Sequence, residues 1–145
     1  MISVFNNKYN DRVKEILVER DSLTDLTNDE SIFFVFIIAL IAAKKFSQSY
    51  ERIIEFLNFD MSDNTKLDYI SSYIDLLIFQ KQYYLAKKLL ELEEYNLKEK
   101  LKPTWYALMT YMQDEYPNEI KKMGSELQES VNEIVKNIEE LKKGK

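Results

Sequence analysis

The sequence predicts an all-α chain, and three observations predict it. There are only two glycines and two prolines in 145 residues, apolar residues make up 46% against 31% charged, and apolar side chains recur at helical spacing in one segment after another. Sheet proteins need tight turns with positive φ, for which glycine is the usual supplier. A chain nearly without glycine but rich in Leu, Ile, Lys and Glu is expected to be helical almost throughout. The length suits one domain over 1–145 with a real hydrophobic core, and the apolar share argues against long disorder.

The first expected helix covers Asn10 to Arg20, with Val13, Ile16 and Leu17 on one face and Phe5 and Tyr9 extending the stripe backward. Asp21 to Asn28 is a polar connection in which Thr27 or Asn28 caps the next helix, with Glu30 or Ser31 in its first turn. This second helix carries the run Ile32 to Ala43, IFFVFIIALIAA, and is expected to reach Phe46. Its 12 uninterrupted apolar residues fall short of the roughly 18–20 that cross a bilayer. A core helix packed on several sides is the reading, with an exposed contact helix as the alternative. Ser47-Gln48-Ser49 is the expected break, either serine capping a third helix over Tyr50 to Leu57 that buries Tyr50, Ile53, Ile54 and Leu57.

Asn58 to Asn64 is again polar. Its stretch Asp60 to Asn64 has oxygen ligands but lacks the glycine and distal glutamate of an EF-hand loop, so it reads as capping. The fourth helix, Thr65 to Phe79, presents Leu67, Ile70, Tyr73, Ile74, Leu77 and Ile78. After a break at Gln80 to Gln82 the fifth turns Tyr83, Ala86, Leu89 and Leu90 inward, and the charged stretch Glu91 to Lys100 reads as helix tail and loop. Pro103 suits the first turn of a sixth helix, where its missing N–H costs nothing, and Trp105, Leu108, Met109 and Met112 follow. Pro117 and Gly124-Ser125 punctuate the rest. Ser125 with Gln128 has the pattern of a capping box, opening a last helix from Glu126 to about Leu141 within an amphipathic C-terminal segment, 125–143. Leu127, Val131, Ile134, Ile138 and Leu141 form an a/d-like stripe there, expected to close the helical stack, with self-association as the alternative.

Charge and composition narrow the function. A formal net charge of −5 argues against nucleic acid, whose binders draw most of their affinity from phosphate contacts. The lysines at Lys98, Lys100 and Lys102, and at Lys142, Lys143 and Lys145, read as solvated helix ends. The chain has no cysteine and no histidine, which leaves no disulfide, no thiolate or imidazole metal ligand, and no histidine base for a serine nucleophile. Glu51/Glu55 and Glu91/Glu94 are helical neighbours on solvated faces, and the two glycines, Gly124 and Gly144, form no phosphate cradle. No catalytic residue, metal or cofactor is expected. Met1 to Asn10 lacks the basic and apolar regions of a signal peptide, so cytoplasmic residence without membrane association is expected.

One internal correspondence bears on architecture. Tyr50, Ile53 and Leu57 recur 33 residues later as Tyr83, Ala86 and Leu90, and Ile37, Leu40 and Ile41 recur at the same offset as Ile70, Tyr73 and Ile74. Trp105-Tyr106-Ala107-Leu108 opens what reads as a third unit. These hairpins resemble the tetratricopeptide repeat, a 34-residue helix–turn–helix unit whose first helix carries a large residue and a leucine three apart and whose second opens on Tyr-x-x-Ala, here Tyr83 to Ala86. The resemblance spans Ile32 to Met112. It departs from the family at Ile41, Ile74 and Met109, where small residues are usual, and at Gln48 and Lys81, which take the turn positions without glycine. It implies a right-handed stack of antiparallel hairpins with about six to eight helices. A generic antiparallel bundle is the alternative.

The same resemblance implies a non-catalytic module that holds a peptide or helical segment of a protein partner against the first helices of its hairpins. Tyr50, Tyr73, Tyr83 and Trp105 sit at core spacing, whereas Tyr69, Tyr84, Tyr106 and Tyr111 fall off the core stripes and are the candidate contact residues. Two further readings stand beside it. One is the C-terminal helical segment of a larger regulatory protein, such as a repeat-bearing NTPase. The other is a structural protein that forms homo-oligomers through its last helix.

Overall fold

Helices carry most of the described residues. The computed structural model describes residues 30–143, and within them lie seven α-helices and no strand. These are α1 (Glu30–Ala42), α2 (Phe46–Leu57), α3 (Asp63–Phe79), α4 (Tyr83–Leu90), α5 (Leu97–Lys100), α6 (Lys102–Tyr111) and α7 (Ser125–Lys143), with a short 3₁₀ turn at Ile120–Lys122. The fold is all-α, as the scarcity of glycine and the helical periodicity predicted. The helix expected over Asn10 to Arg20 and the caps expected at Thr27 and Asn28 lie outside the described residues. The chain divides into two compact units, one reaching Ile70 and the other starting at Ser71, so the division falls within α3.

In the first unit α1 and α2 pack along each other as a hairpin. Apolar residues surround α1, and Phe33, Phe34, Ile37, Ile38, Leu40 and Ile41 are all buried. α2 is amphipathic: Ser49, Ile53, Phe56 and Leu57 face inward, while Arg52 pairs at 2.8 Å with Glu55 on the solvent side. Phe33 meets Phe59 at 4.9 Å between ring centroids, and Phe34 and Phe56 meet Tyr69 at 4.7 and 5.2 Å. Burying aromatic side chains of this size contributes about 2–3 kcal/mol each. Two polar bonds close the unit's helix ends. The Thr65 backbone N–H donates to Ser62 Oγ at 3.2 Å, which makes Ser62 the cap of α3, and Lys66 Nζ donates to the last carbonyl of α2, at Leu57, at 2.7 Å.

The turn between α1 and α2 comes earlier than expected. α1 stops at Ala42, and Lys44 adopts a left-handed φ of 61°. Its N–H donates to the Ile41 carbonyl at 2.9 Å and that of Lys45 to the Leu40 carbonyl at 2.8 Å, the bond pair of a Schellman stop. Lys45 is then the N-cap of α2. Ser47, Gln48 and Ser49 are therefore helical, not a break, and Ser49 donates its hydroxyl to the Phe46 carbonyl from a fully buried position. Serine is a weak helix breaker, and the Schellman stop at Lys44 fixes the end of α1 before the serines are reached.

The second turn repeats the first. Lys81 also has φ 61°, with its N–H on the Ile78 carbonyl at 2.9 Å and that of Gln82 on the Leu77 carbonyl at 2.7 Å. The two turns stand 37 residues apart, so Lys81 answers to Lys44 and not to Gln48. Ser49 and Ala86, both fully buried, become equivalent small residues in α2 and α4.

In the second unit α6 packs against α4, the short α5 and α7. Tyr73, Ile74, Leu77, Ile78, Leu89, Leu90, Leu108, Met109 and Ile138 are fully buried there. Glu91 to Lys100 contains α5 in addition to the expected loop, entered through Asn96 at φ 54°. Pro103 does lie in the first turn of α6, and Trp105 is buried with Lys98 Nζ 4.2 Å above its ring. The capping box at α7 is not formed: Gln128 Nε2 donates to Asn132 Oδ1 at 2.9 Å, one turn forward, and Ser125 is already helical. On α7, Val131 and Ile138 point into the unit, with Leu127, Ile134 and Leu141 half-buried beside them.

Candidate functional site

The four tyrosines singled out by spacing fall in both units, Tyr69 in the first and Tyr84, Tyr106 and Tyr111 in the second. Tyr69 belongs to the aromatic cluster of the first unit, against Phe34 and Phe56. The other three lie in the second unit and differ from each other. Tyr84 is 59% exposed, and its hydroxyl donates to Glu115 in the connection after α6. That bond is the first cause of the upward shift of the Tyr84 hydroxyl from its ordinary pKa. Tyr106 is half-buried on α6, and its carbonyl accepts from the Thr110 hydroxyl at 2.9 Å.

Tyr111 ties three helices together. Its hydroxyl donates to Glu139 on α7 at 2.6 Å, and its ring stacks on Tyr83 of α4 with centroids 5.9 Å apart. Lys142 Nζ sits 4.9 Å from the ring centroid while donating to the same Glu139 at 3.0 Å. Burial first, then the Glu139 bond, pushes the Tyr111 hydroxyl far above its ordinary range, and Asp75 adds to the rise. Glu139 shifts down, chiefly because it accepts from Tyr111.

Asp75, on α3, is the residue that spacing arguments passed over. Its Oδ1 is buried and accepts no hydrogen bond from any described residue. Desolvation raises its pKa from 3.8 to about 7. The signal was present as a single acid inside Tyr73-Ile74-Asp75-Leu76-Leu77-Ile78. A charge within such a run must either pair, reach water or neutralise itself.

Beside the Tyr111 clasp, α6, the 3₁₀ turn and α7 enclose an open groove of about 470 Å³. Ile120, Met123, Val131 and Val135 supply its apolar surface, and Thr110, Gln113, Gln128, Asn132 and Lys136 its polar groups. Gln113 Nε2 donates to the Thr110 carbonyl at 2.9 Å, so internal bonds orient the amides. The groove offers dispersion contact, amide hydrogen bonds and one cation, a set suited to holding a ligand. Sequence spacing missed it because its walls come from segments separated by the long connection between α6 and α7.

No described helix is long and apolar enough to cross a membrane, and no cluster of three metal-ligating side chains occurs among the described residues. Set against protein-family models, curated proteins and solved structures, the chain matches none.

Proposed function

We propose that this protein is a non-catalytic interaction module that binds a peptide or helical segment of a protein partner. The observation that carries this reading is the groove between α6 and α7. Its volume of about 470 Å³ suits a few side chains of a bound segment, and its mixture of apolar floor and oriented amides is that of a recognition surface. The tetratricopeptide-like hairpin supports the reading by analogy of fold, through the matched turns at Lys44 and Lys81 and the buried small residues Ser49 and Ala86. The 37-residue spacing exceeds the 34 of that family, so the analogy is to hairpin construction and not to a conserved binding face. On this reading the contact residues are Val131, Asn132, Val135 and Lys136 of α7, with Gln113 of the connection after α6. Tyr106 and Tyr111 lie on α6, Tyr84 lies on α4 and Tyr69 on α3, and none of the four lines the groove.

Selection of displayed random peptides against the full chain tests this. Peptides with two or three apolar residues at i, i+3, i+4 spacing should emerge, and Val135→Glu should weaken their binding at least tenfold while leaving the helical circular dichroism unchanged. Full retention of binding in Val135→Glu would place the interaction elsewhere.

A further inference from the structure

The connection between α6 and α7, residues 112–124, has no regular element beyond the 3₁₀ turn, yet it is not slack. Its backbone N–H groups bond back along it: Glu115 and Tyr116 to the Met112 carbonyl at 3.0 Å each, and Glu119 to that of Tyr116 at 3.2 Å. Lys122 bonds to the Glu119 carbonyl and Met123 to that of Ile120, both at 3.1 Å. The connection is thus a run of consecutive turns, and an ion pair at 3.1 Å between Lys122 and Glu119 stiffens it. α4 grips the start of this run from the side. Tyr84 donates its hydroxyl to Glu115, and Lys87, one turn further on the same face of α4, places Nζ 4.9 Å from the ring centroid of Tyr116. Glu91 accepts from Lys87 Nζ at 2.9 Å and keeps that side chain in place. The far end of the run supplies Ile120 and Met123, two of the four apolar residues that line the groove.

We propose that Tyr84 and Lys87 are positioning residues for the groove: by fastening Glu115 and Tyr116 to α4 they hold Ile120 and Met123 in place opposite α7 and so set which side chains the groove accepts. Neither residue lines the groove itself. Only three residues separate the fastened Tyr116 from Ile120, and one of them is Pro117, whose ring fixes φ and removes play. Met123 follows through two bonded turns. Released from α4, the run keeps its internal bonds and pivots about Met112, which stays buried, and the wall it supplies moves with it. With 59% of Tyr84 exposed, its hydroxyl contributes more to this arrangement than the packing of its ring. The ligand's identity rests on the proposed function, whereas the fastening belongs to the free chain.

The test compares the full chain with the double variant Tyr84→Phe/Lys87→Met, which removes the hydroxyl and the charge but keeps the ring and the stem. Both are studied where circular dichroism shows them fully folded, so that lost stability alone does not change affinity. In methyl NMR of the free chains, the Ile120 and Met123 resonances should move, while methyls of the first unit such as Ile37 stay still. Peptides selected by display on the native chain should bind the double variant about fivefold or more weakly, as loss of two surface contacts implies. Glu115→Ala, which cuts the tyrosine bond from the other side, should act in the same direction. Tyr84→Phe/Lys87→Arg, which returns a cation to Tyr116, should recover part of both effects. Changes that stop at Glu115 and Tyr116 without reaching Ile120 and Met123 would overturn the proposal, as would equal binding of the peptides by native chain and double variant. In that last case the proposed function stands and the positioning fails. If the methyls respond as expected while no displayed peptide binds the native chain, the positioning stands and the proposed function fails.

Discussion

Replacing Asp75 by Asn removes an ionisable group, partly exposed but with its Oδ1 buried, at nearly constant shape, and its effect on stability follows from linkage. Folding raises the pKa of Asp75 from 3.8 to about 7. The folded state therefore binds more protons than the unfolded state between those values, and stability falls as pH rises. The contribution is whole below the unfolded value and lost as pH climbs through the folded one. At about 1.4 kcal/mol per pKa unit, the full loss is on the order of 4 kcal/mol, of which about 2–3 kcal/mol falls between pH 5 and 7.5. Asn carries no charge at either pH. Its amide still buries an oxygen, which costs about 1–3 kcal/mol at every pH and so moves the offset but not the slope.

Urea denaturation of both proteins at pH 5, 6, 7 and 7.5 reads this directly. The stability of Asp75→Asn relative to the native sequence should grow by about 2–3 kcal/mol from pH 5 to 7.5, equivalent to a gain of about 5–10 °C in Tm. A relative stability that stays constant within about 0.5 kcal/mol over that range would refute the reasoning, since it would mean that Asp75 is charged and solvated throughout.

Four other outcomes are expected. Lys44→Gly and Lys81→Gly should each stabilise the chain by about 0.5–1 kcal/mol in thermal melts, because glycine takes the left-handed φ of 61° without a Cβ penalty. Ser49→Ala should be within about 1 kcal/mol of neutral, while Ser49→Leu should cost about 1–3 kcal/mol by overpacking a fully buried position. Ile138→Ala should cost about 2–4 kcal/mol in chemical denaturation, since its side chain is fully buried in the second unit. Tyr111→Phe removes the 2.6 Å bond to Glu139, and as a charge-assisted contact at a partly exposed site it should cost about 1–2 kcal/mol at pH 6, measured the same way.

The helices were legible because apolar periodicity and burial are two views of one property. α3, α4 and α6 begin and end within two residues of expectation at most of their ends, and Leu77, Leu89, Leu108 and Ile138 face inward as their spacing implied. The repeat was legible only up to one helical turn. An offset of 33 pairs Leu57 with Leu90 and Ile41 with Ile74, one of 37 pairs Ile53 with Leu90 and Ile37 with Ile74, and every one of these residues is buried. The two offsets differ by four residues, close to the 3.6 of an α-helical turn, so a pattern of apolar positions barely separates them. Turn geometry does, and the turn residues are lysines, which carry no turn signature. Tertiary context also decided the tyrosines: Tyr69 and Tyr111 both lie off the main stripes, yet one packs on phenylalanines and the other reaches a carboxylate 28 residues away. Asp75 was visible as an oddity of composition, but its missing partner was not.

The three-residue link between α1 and α2 has a consequence for how the chain is made. α1 holds the longest apolar run in the sequence, and exposed in a nascent chain such a run is the segment most prone to stick to its neighbours. Its mate follows at once, and the stop at Lys44 turns the backbone toward it without waiting for distant residues. Contacts this local form on the fast end of the folding timescale. The most hazardous stretch of the protein thus needs only the next helix before it finds cover.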